Sequence, residues 1–586
     1  MRNIFPIFTS IYKWMETMKN CCLLLFLGIW SCGVWGQTVP DSLSYAGRLQ
    51  AAIEAAGDAE KDTVICRMVF ALFEGLYADY PDSMDVRGFY EAGLLACKLR
   101  ETDRAFRYLA PLVDTESSYG PGFIFITGKY KDEAFEVLAA DPRWKALVER
   151  AGKNKAEFYR SLEEQRAEFF ARSPKGKAAD VFDETEGLKG EALYKALQTP
   201  RGYLPKHRRN YSVRFMVRDT VPSSYFVRLP RGYDPAKAYP LLICLHGAVR
   251  YTALEDYVAG WILEEHNRFY VSEAEKAGVI LVFPLADKHF NWMDPDDGFY
   301  MVPAILKEVK QAVHVDDDRV FVCGHSNGAT GAFSYWMKQP SPFAGCFGLN
   351  TYPKVWKAAT YLLNGKNRPF VNFSTDQDYY YPPQANDSLD ALTERLGLDY
   401  TDHRYNGYPH WFPEFDASEA AFRTVFGEIG KRRRNPFPRE IYRETDRVKY
   451  GRVDWLEITA LDTLACRAGW HKTYNFPITT WLVYDDKDEL VSKEVDKKAF
   501  DFPHASGAVK AEYGENEFHV QTSCVGAFRL YISPEMVNMN KKVKVYVNGE
   551  LRYHDKVNWD DAFLRQTFLR EQDRRQLWVN CIEIEI

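Results

Sequence analysis

The spacing of apolar residues divides the chain into three textures. From 41 to 175 apolar positions recur at three- and four-residue steps, as in Val64, Met68, Ala71, Leu72 and Leu76, then Leu94, Leu95 and Leu99, which predicts helices. Turn clusters at Tyr80-Pro81-Asp82-Ser83 and around Gly120-Pro121-Gly122 separate them, and Asp141-Pro142-Arg143-Trp144 opens a helix running toward Arg172. From 205 to 430 short apolar runs alternate with helical stretches, the pattern of a parallel sheet with crossover helices. Runs at 241–245, 279–283, 320–323 and 370–373 suit strands covered on both faces, with helices near 301–313, 328–338 and 417–430. The basic, proline-bearing stretch Lys431-Arg432-Arg433-Arg434-Asn435-Pro436 reads as a solvated linker over 431–451. Beyond 452 the period becomes two: Val543, Val545 and Val547 precede an Asn548-Gly549 turn, and Phe528, Leu530 and Ile532 repeat the alternation, as do Ile582, Ile584 and Ile586. A β-sandwich over 452–586 is the simplest closure.

A length of 586 residues calls for three or four such units. The net charge of −6, evenly mixed, builds no footprint for a phosphate backbone, so no nucleic-acid partner is expected. Leu23, Leu24, Leu25, Phe26, Leu27, Gly28, Ile29 and Trp30 form an uncharged run behind Lys19, shorter than the about 20 residues that span a bilayer. It predicts a signal peptide over 1–36, cut after Gly36, with Met18 as the true initiator and no membrane span once it is removed. Cys32 behind Ser31 makes a poor lipid-attachment site, so a secreted or periplasmic protein is expected rather than an anchored one. Cys21, Cys22 and Cys32 would leave with the signal, so 8 of the 11 cysteines remain. Cys244 and Cys323 sit inside apolar runs and predict buried thiols. No Cys-x-x-Cys or His-x-x-x-His ligand set occurs, and neither metal nor cofactor is expected.

The chemistry concentrates at Gly324-His325-Ser326-Asn327-Gly328, between an apolar run and a helical stretch. A serine lifted above a sheet edge needs a strained turn so tight that residues two away carry no side chain. The helix that opens there aims free N–H groups at a developing oxyanion. Such a serine also needs a histidine base and a carboxylate to orient that base. Asp378 and Asp376 both follow the 370–373 run, and His410 lies in the Gly407-Tyr408-Pro409-His410-Trp411 loop. His403 and His289 lack that loop context, and His325 and His246 read as structural.

These pieces, with Pro240 to Gly247, the Asp378-x-x-x-Pro382 spacing and the Gly-x-x-His-Trp ending at Trp411, resemble the α/β-hydrolase superfamily over residues 222–430, specifically the secreted esterase branch with polyhydroxybutyrate depolymerase-like, feruloyl and acetylxylan esterases. The resemblance implies Ser326 as nucleophile, His410 as base and Asp378 as acid. It also implies an oxyanion hole from Asn327 and Ala248 or Gly247, acting on small-molecule or polysaccharide-linked esters. The proline four positions on favours Asp378 over Asp376. Trp292, Trp411 and Tyr379 to Tyr381 are candidate cleft walls, with buried packing the alternative for each. The tyrosine-rich entry at 225–233 is also similar to prolyl-oligopeptidase relatives, making a peptidase the second reading, and a non-catalytic binding protein on the same fold is the third. The helical block at 41–175 is similar to tetratricopeptide-like hairpins, serving as a stabilising cap or as a platform for a protein partner. Residues 452–586 resemble the β-sandwich appended to some bacterial secreted hydrolases.

Overall fold

A computed structural model describes residues 45–57, 62–117, 120–128, 130–171, 185–200, 202–217, 220–264, 267–293 and 298–586. The signal expectation over 1–36 lies outside them. No helix among the described residues is long and apolar enough to cross a membrane. The chain groups into two units, one holding the residues up to 164 with 259–264, the other the remainder.

In the first unit, helices Tyr45–Ala56, Thr63–Asp79, Val86–Lys98, Thr102–Asp114 and the start of Pro142–Phe170 gather around Phe70, Phe73, Leu95, Tyr108, Leu109 and Leu112. Asp62 caps its helix by accepting from the Val64 and Ile65 amides. The helical block is present, and on its second helix the covered face differs from the stripe that periodicity traces. Val64, Met68 and Leu72 are exposed, Val64 by 67%, and Cys66, Val69, Phe70, Phe73 and Leu76 face the core. This helix is apolar on two sides, so periodicity alone allowed either, and the side with two phenylalanines buries more area.

The second unit is built on an eight-stranded sheet. Its strands are β1 (Asn210–Val217), β2 (Val221–Arg228), β3 (Tyr239–Leu245), β4 (Ile280–Pro284), β5 (Val315–His325), β6 (Gly345–Leu349), β7 (Phe370–Gln377) and β8 (Tyr400–Pro409). Their spatial order is β8-β7-β6-β5-β3-β4-β2-β1, with β1 and β2 antiparallel to their neighbours and the rest parallel. Order and direction are those of an α/β-hydrolase domain. Leu241, Leu242 and Ile243 are wholly buried, as two covered faces require. Helices Met301–Ala312, Asn327–Lys338 and Glu419–Lys431 fall where the pattern placed them. Strand β8 is the strand-like run around His403, whereas strands β1, β2 and β6 and helices Arg268–Ala277 and Pro383–Leu396 were not singled out.

Carboxy-terminal to this sheet, five strands (Glu440–Thr445, Gly507–Gly514, Glu517–Ser523, Lys542–Val547 and Glu550–Lys556) and four strands (Arg452–Val453, Leu456–Leu461, Val525–Ile532 and Asn580–Glu585) form two sheets. Both sheets contribute to one core of Val520, Val545, Ile458, Phe528, Leu530 and Ile582. Asn548 (φ 51°) and Gly549 (φ 92°) make the expected hairpin turn. Helix Gly190–Gln198 adds Leu193, Tyr194 and Leu197 to the same core from outside the predicted boundary. A separate hairpin, Pro477–Tyr484 with Leu490–Lys498, joins neither sheet.

The stretch expected to be a solvated linker is a correction. Glu440–Thr445 is a strand, and the Arg434 side chain is fully buried, with Nη1 2.7 Å from Asp573 Oδ2 and Nη2 3.2 Å from Asp318 Oδ1. Beside it Lys310 Nζ sits 2.7 Å from Asp317. Burial alone would push the Asp573 carboxyl up, but Arg434 and Lys310 hold it well below the usual carboxylate range. Hydrophobic patterning cannot see a charge that is buried by its partners. Arg434→Ala would take from Asp573 and Asp318 the buried guanidinium they share, leaving Asp573 to Lys310 at 3.6 Å and Asp318 to Arg575 at 3.0 Å, and denaturant titration should report a loss of about 3–5 kcal/mol.

Candidate active site

The site lies along the carboxyl ends of the parallel strands, where residues following β3, β5, β6, β7 and β8 converge. Ser326 separates β5 from helix Asn327–Lys338 with φ 57° and ψ −120°, a left-handed conformation costly for a residue with a Cβ. The glycines around it explain how it is held. A Cβ at Gly328 would stand 1.9 Å from the Leu245 carbonyl oxygen, and one at Gly324 would stand 2.4 Å from the Gly328 carbonyl carbon.

His410, directly after β8, brings Nε2 to 2.8 Å from Ser326 Oγ and Nδ1 to 2.8 Å from Asp378 Oδ2. All three side chains are buried. Asp378 Oδ2 also accepts from Asn350 Nδ2 at 3.0 Å, and Oδ1 accepts from the amides of Tyr380 (3.0 Å) and Tyr381 (2.9 Å). These contacts fix the carboxylate in one orientation. Asp376, the competing acid, instead accepts from the Gly407 amide at 2.8 Å and is not part of the chain of contacts. His403 lies within β8 against the Phe373 ring, and His289 is exposed.

Gly247 packs directly on Ser326, where an added Cβ would meet Ser326 Cβ at 3.0 Å. Ala248 follows with φ 51°. Asn327 ties this loop to the serine turn, since its Oδ1 accepts from the Val249 amide at 3.2 Å and its Nδ2 donates to the Tyr381 hydroxyl at 2.8 Å. As first residue of its helix, Asn327 has an amide with no intrahelical acceptor. Beneath the loop, His246 donates from Nδ1 to the Gly247 carbonyl (2.7 Å) and accepts at Nε2 from the Ala286 amide (3.0 Å). Burial pushes its pKa down to about 4. His325 Nε2 donates to the His410 carbonyl at 2.8 Å.

Of the expected cleft walls, Trp411 packs edge-on to His410 at 5.3 Å between ring centroids, and Tyr379 turns toward Tyr484 at 5.2 Å. Trp292 is a correction: it is 0% exposed, packed against His246 and over Gly331, whose missing side chain leaves room for the indole. Tyr380 and Tyr381 are the rings flanking His410, at 4.8 and 5.1 Å. Asn350 was missed. The signal for Asn350 was an asparagine directly after a strand, where its φ of 54° is tolerated.

No family model matches the chain, and no curated protein matches it. Solved structures of similar fold include a thermostable esterase, 17% identical with a TM-score of 0.32 over 39% of this chain and 64% of that one, so under two thirds of its length is spanned. An S-formylglutathione hydrolase from Staphylococcus aureus is 14% identical, with a TM-score of 0.30 over 38% of this chain and 98% of that one. A poly(3-hydroxybutyrate) depolymerase from Bordetella parapertussis is 15% identical, with a TM-score of 0.29 over 38% and 89%.

A histidine held neutral in the fold takes up its proton at higher pH when unfolded, so stability should fall as pH drops from about 6.5 toward 4. Chemical denaturation at the two ends should show that a part on the order of 2 kcal/mol of this loss is absent in His246→Asn.

Proposed function

We propose that this chain is a serine hydrolase that cleaves carboxylic esters through an acyl-enzyme, with Ser326 as nucleophile, His410 as base and then acid, and Asp378 as the orienting carboxylate. The observation that carries the reading is the continuous contact from the Ser326 hydroxyl through the His410 imidazole to the Asp378 carboxylate. With Nδ1–H donated to Asp378, His410 Nε2 carries the lone pair that takes the Ser326 proton as Oγ attacks the ester carbonyl. The oxyanion that forms is stabilised by the main-chain N–H groups of Asn327 and Ala248, at a helix start and a strained turn respectively. His410 then protonates the departing alcohol, and a water molecule activated by the same nitrogen releases the acid and restores Ser326.

The chemistry needs no cofactor. The apolar run at 23–30 supports export, and the acyl decorations of polysaccharides are a substrate class compatible with it. The carboxy-terminal sheets, sharing one core, are read as a β-sandwich, and the helical block as a packing or partner platform.

Turnover of p-nitrophenyl acetate should fall about 10³-fold or more in Ser326→Ala, which should also lose covalent labelling by a fluorophosphonate probe; equal rates would retire the mechanism. Asn350→Leu removes a donor from the oxygen of Asp378 that faces His410, and kcat should drop roughly tenfold or more with KM nearly unchanged, as steady-state kinetics will show.

A further inference from the structure

The loop that carries Asp378 is gripped from a distant part of the chain. Gln384, in the first turn of helix Pro383–Leu396, accepts at Oε1 from the amides of Thr479 (2.8 Å) and Thr480 (2.9 Å), and donates from Nε2 to Thr479 Oγ1 (2.7 Å). One residue further along the same strand, the Trp481 indole N–H donates to the Tyr379 carbonyl at 3.0 Å. Tyr379 is the residue next to Asp378. The Trp481 ring also begins an aromatic series that ends on the base: Trp481 to Tyr352 at 6.2 Å, Tyr352 stacked on Tyr381 at 5.4 Å, and Tyr381 edge-on to His410 at 5.1 Å. Lys497, from the partner strand, lies over the indole with Nζ 4.7 Å from its centroid, which fixes the ring from behind.

Apolar anchoring of this hairpin is confined to Ile478, buried in the central core, with Trp481 and Val495 packed against that core. Most of Leu490–Lys498 is exposed, and an isolated two-stranded hairpin is marginal in water. Its specific polar contacts to the acid loop fall just after Asp378, at Tyr379 and at Gln384. The carboxylate must hold its angle to the imidazole within narrow limits, and a displacement of about 1 Å can cost 10²-fold in rate.

We propose that the hairpin 477–498 is a built-in clamp on the acid loop, and that Trp481 and Gln384 are positioning residues for the triad. The proposal rests on the serine-hydrolase reading. It is tested with the full chain carrying Trp481→Ala or Gln384→Leu, beside Glu494→Gln on the exposed side of the hairpin. Two quantities are read: steady-state kinetics on p-nitrophenyl acetate, and deuterium exchange at the Tyr380 and Tyr381 amides that bind Asp378. Both clamp variants should lower kcat roughly tenfold with KM within about twofold, and should speed exchange at those amides, while Glu494→Gln matches the parent chain. If Trp481→Ala fails to fold, Gln384→Leu decides alone. Exchange or kcat unaltered in a folded clamp variant overturns the proposal. Faster exchange in a chain whose parent neither turns over esters nor takes a fluorophosphonate on Ser326 would support the clamp and sink the hydrolase reading instead.

Discussion

The arrangement depends on how closely one helix start approaches one strand. β3 and β5 are neighbours in register, with Leu245 opposite Gly324, and the first turn of the next helix lies on the Leu245 carbonyl so tightly that Gly328 has no room for a methyl group. The chain must reverse within this gap, and Ser326 takes the unfavourable backbone angles. Strain of this kind costs on the order of 1–3 kcal/mol and persists only where the surroundings over-determine it. Here they do: the helix that follows is buried along its whole length, with Phe333, Tyr335 and Trp336 in the central core.

That compression also explains why the reacting groups need so little else to align them. Each follows directly on a parallel strand, or sits one to three residues past it, so the sheet sets their spacing before any side-chain contact forms. Polar bonds then lock the details. Asn327 joins the Ala248 loop to Tyr381, Asn350 and two amides fix Asp378, and His325 holds the backbone of His410.

Much of this was legible in the sequence. Continuous apolar runs marked β3, β4, β5 and β7 because both faces of the sheet are covered, and the glycine pair around Ser326 marked the turn because nothing larger fits. Strand β8 showed only as a strand-like run around His403, because its burial alternates irregularly, with Asp402 and Arg404 among its residues. Trp292 was misjudged because an indole beside a site motif reads the same whether it lines a cleft or fills the space over Gly331. The exposed face of helix Thr63–Asp79 shows a similar limit: periodicity finds a stripe, but a helix apolar on two sides needs its neighbours to say which one is covered. Asn350 and the hairpin at Trp481 act across long sequence separations, 102 residues between Trp481 and Tyr379, which no local pattern encodes.

The buried charges at Arg434 carry a consequence for the order of assembly. Lys310, Asp317, Asp318 and Arg434 are all in place along the chain well before Asp573, which lies 139 residues beyond Arg434. Until that long loop closes, Lys310 has only Asp317 and Arg434 only Asp318 within this group, and each cation keeps part of its water. The central sheet therefore has every strand it needs before Asp573 is available, and the charges at Arg434 reach their dry, fully paired arrangement only once the last segment docks.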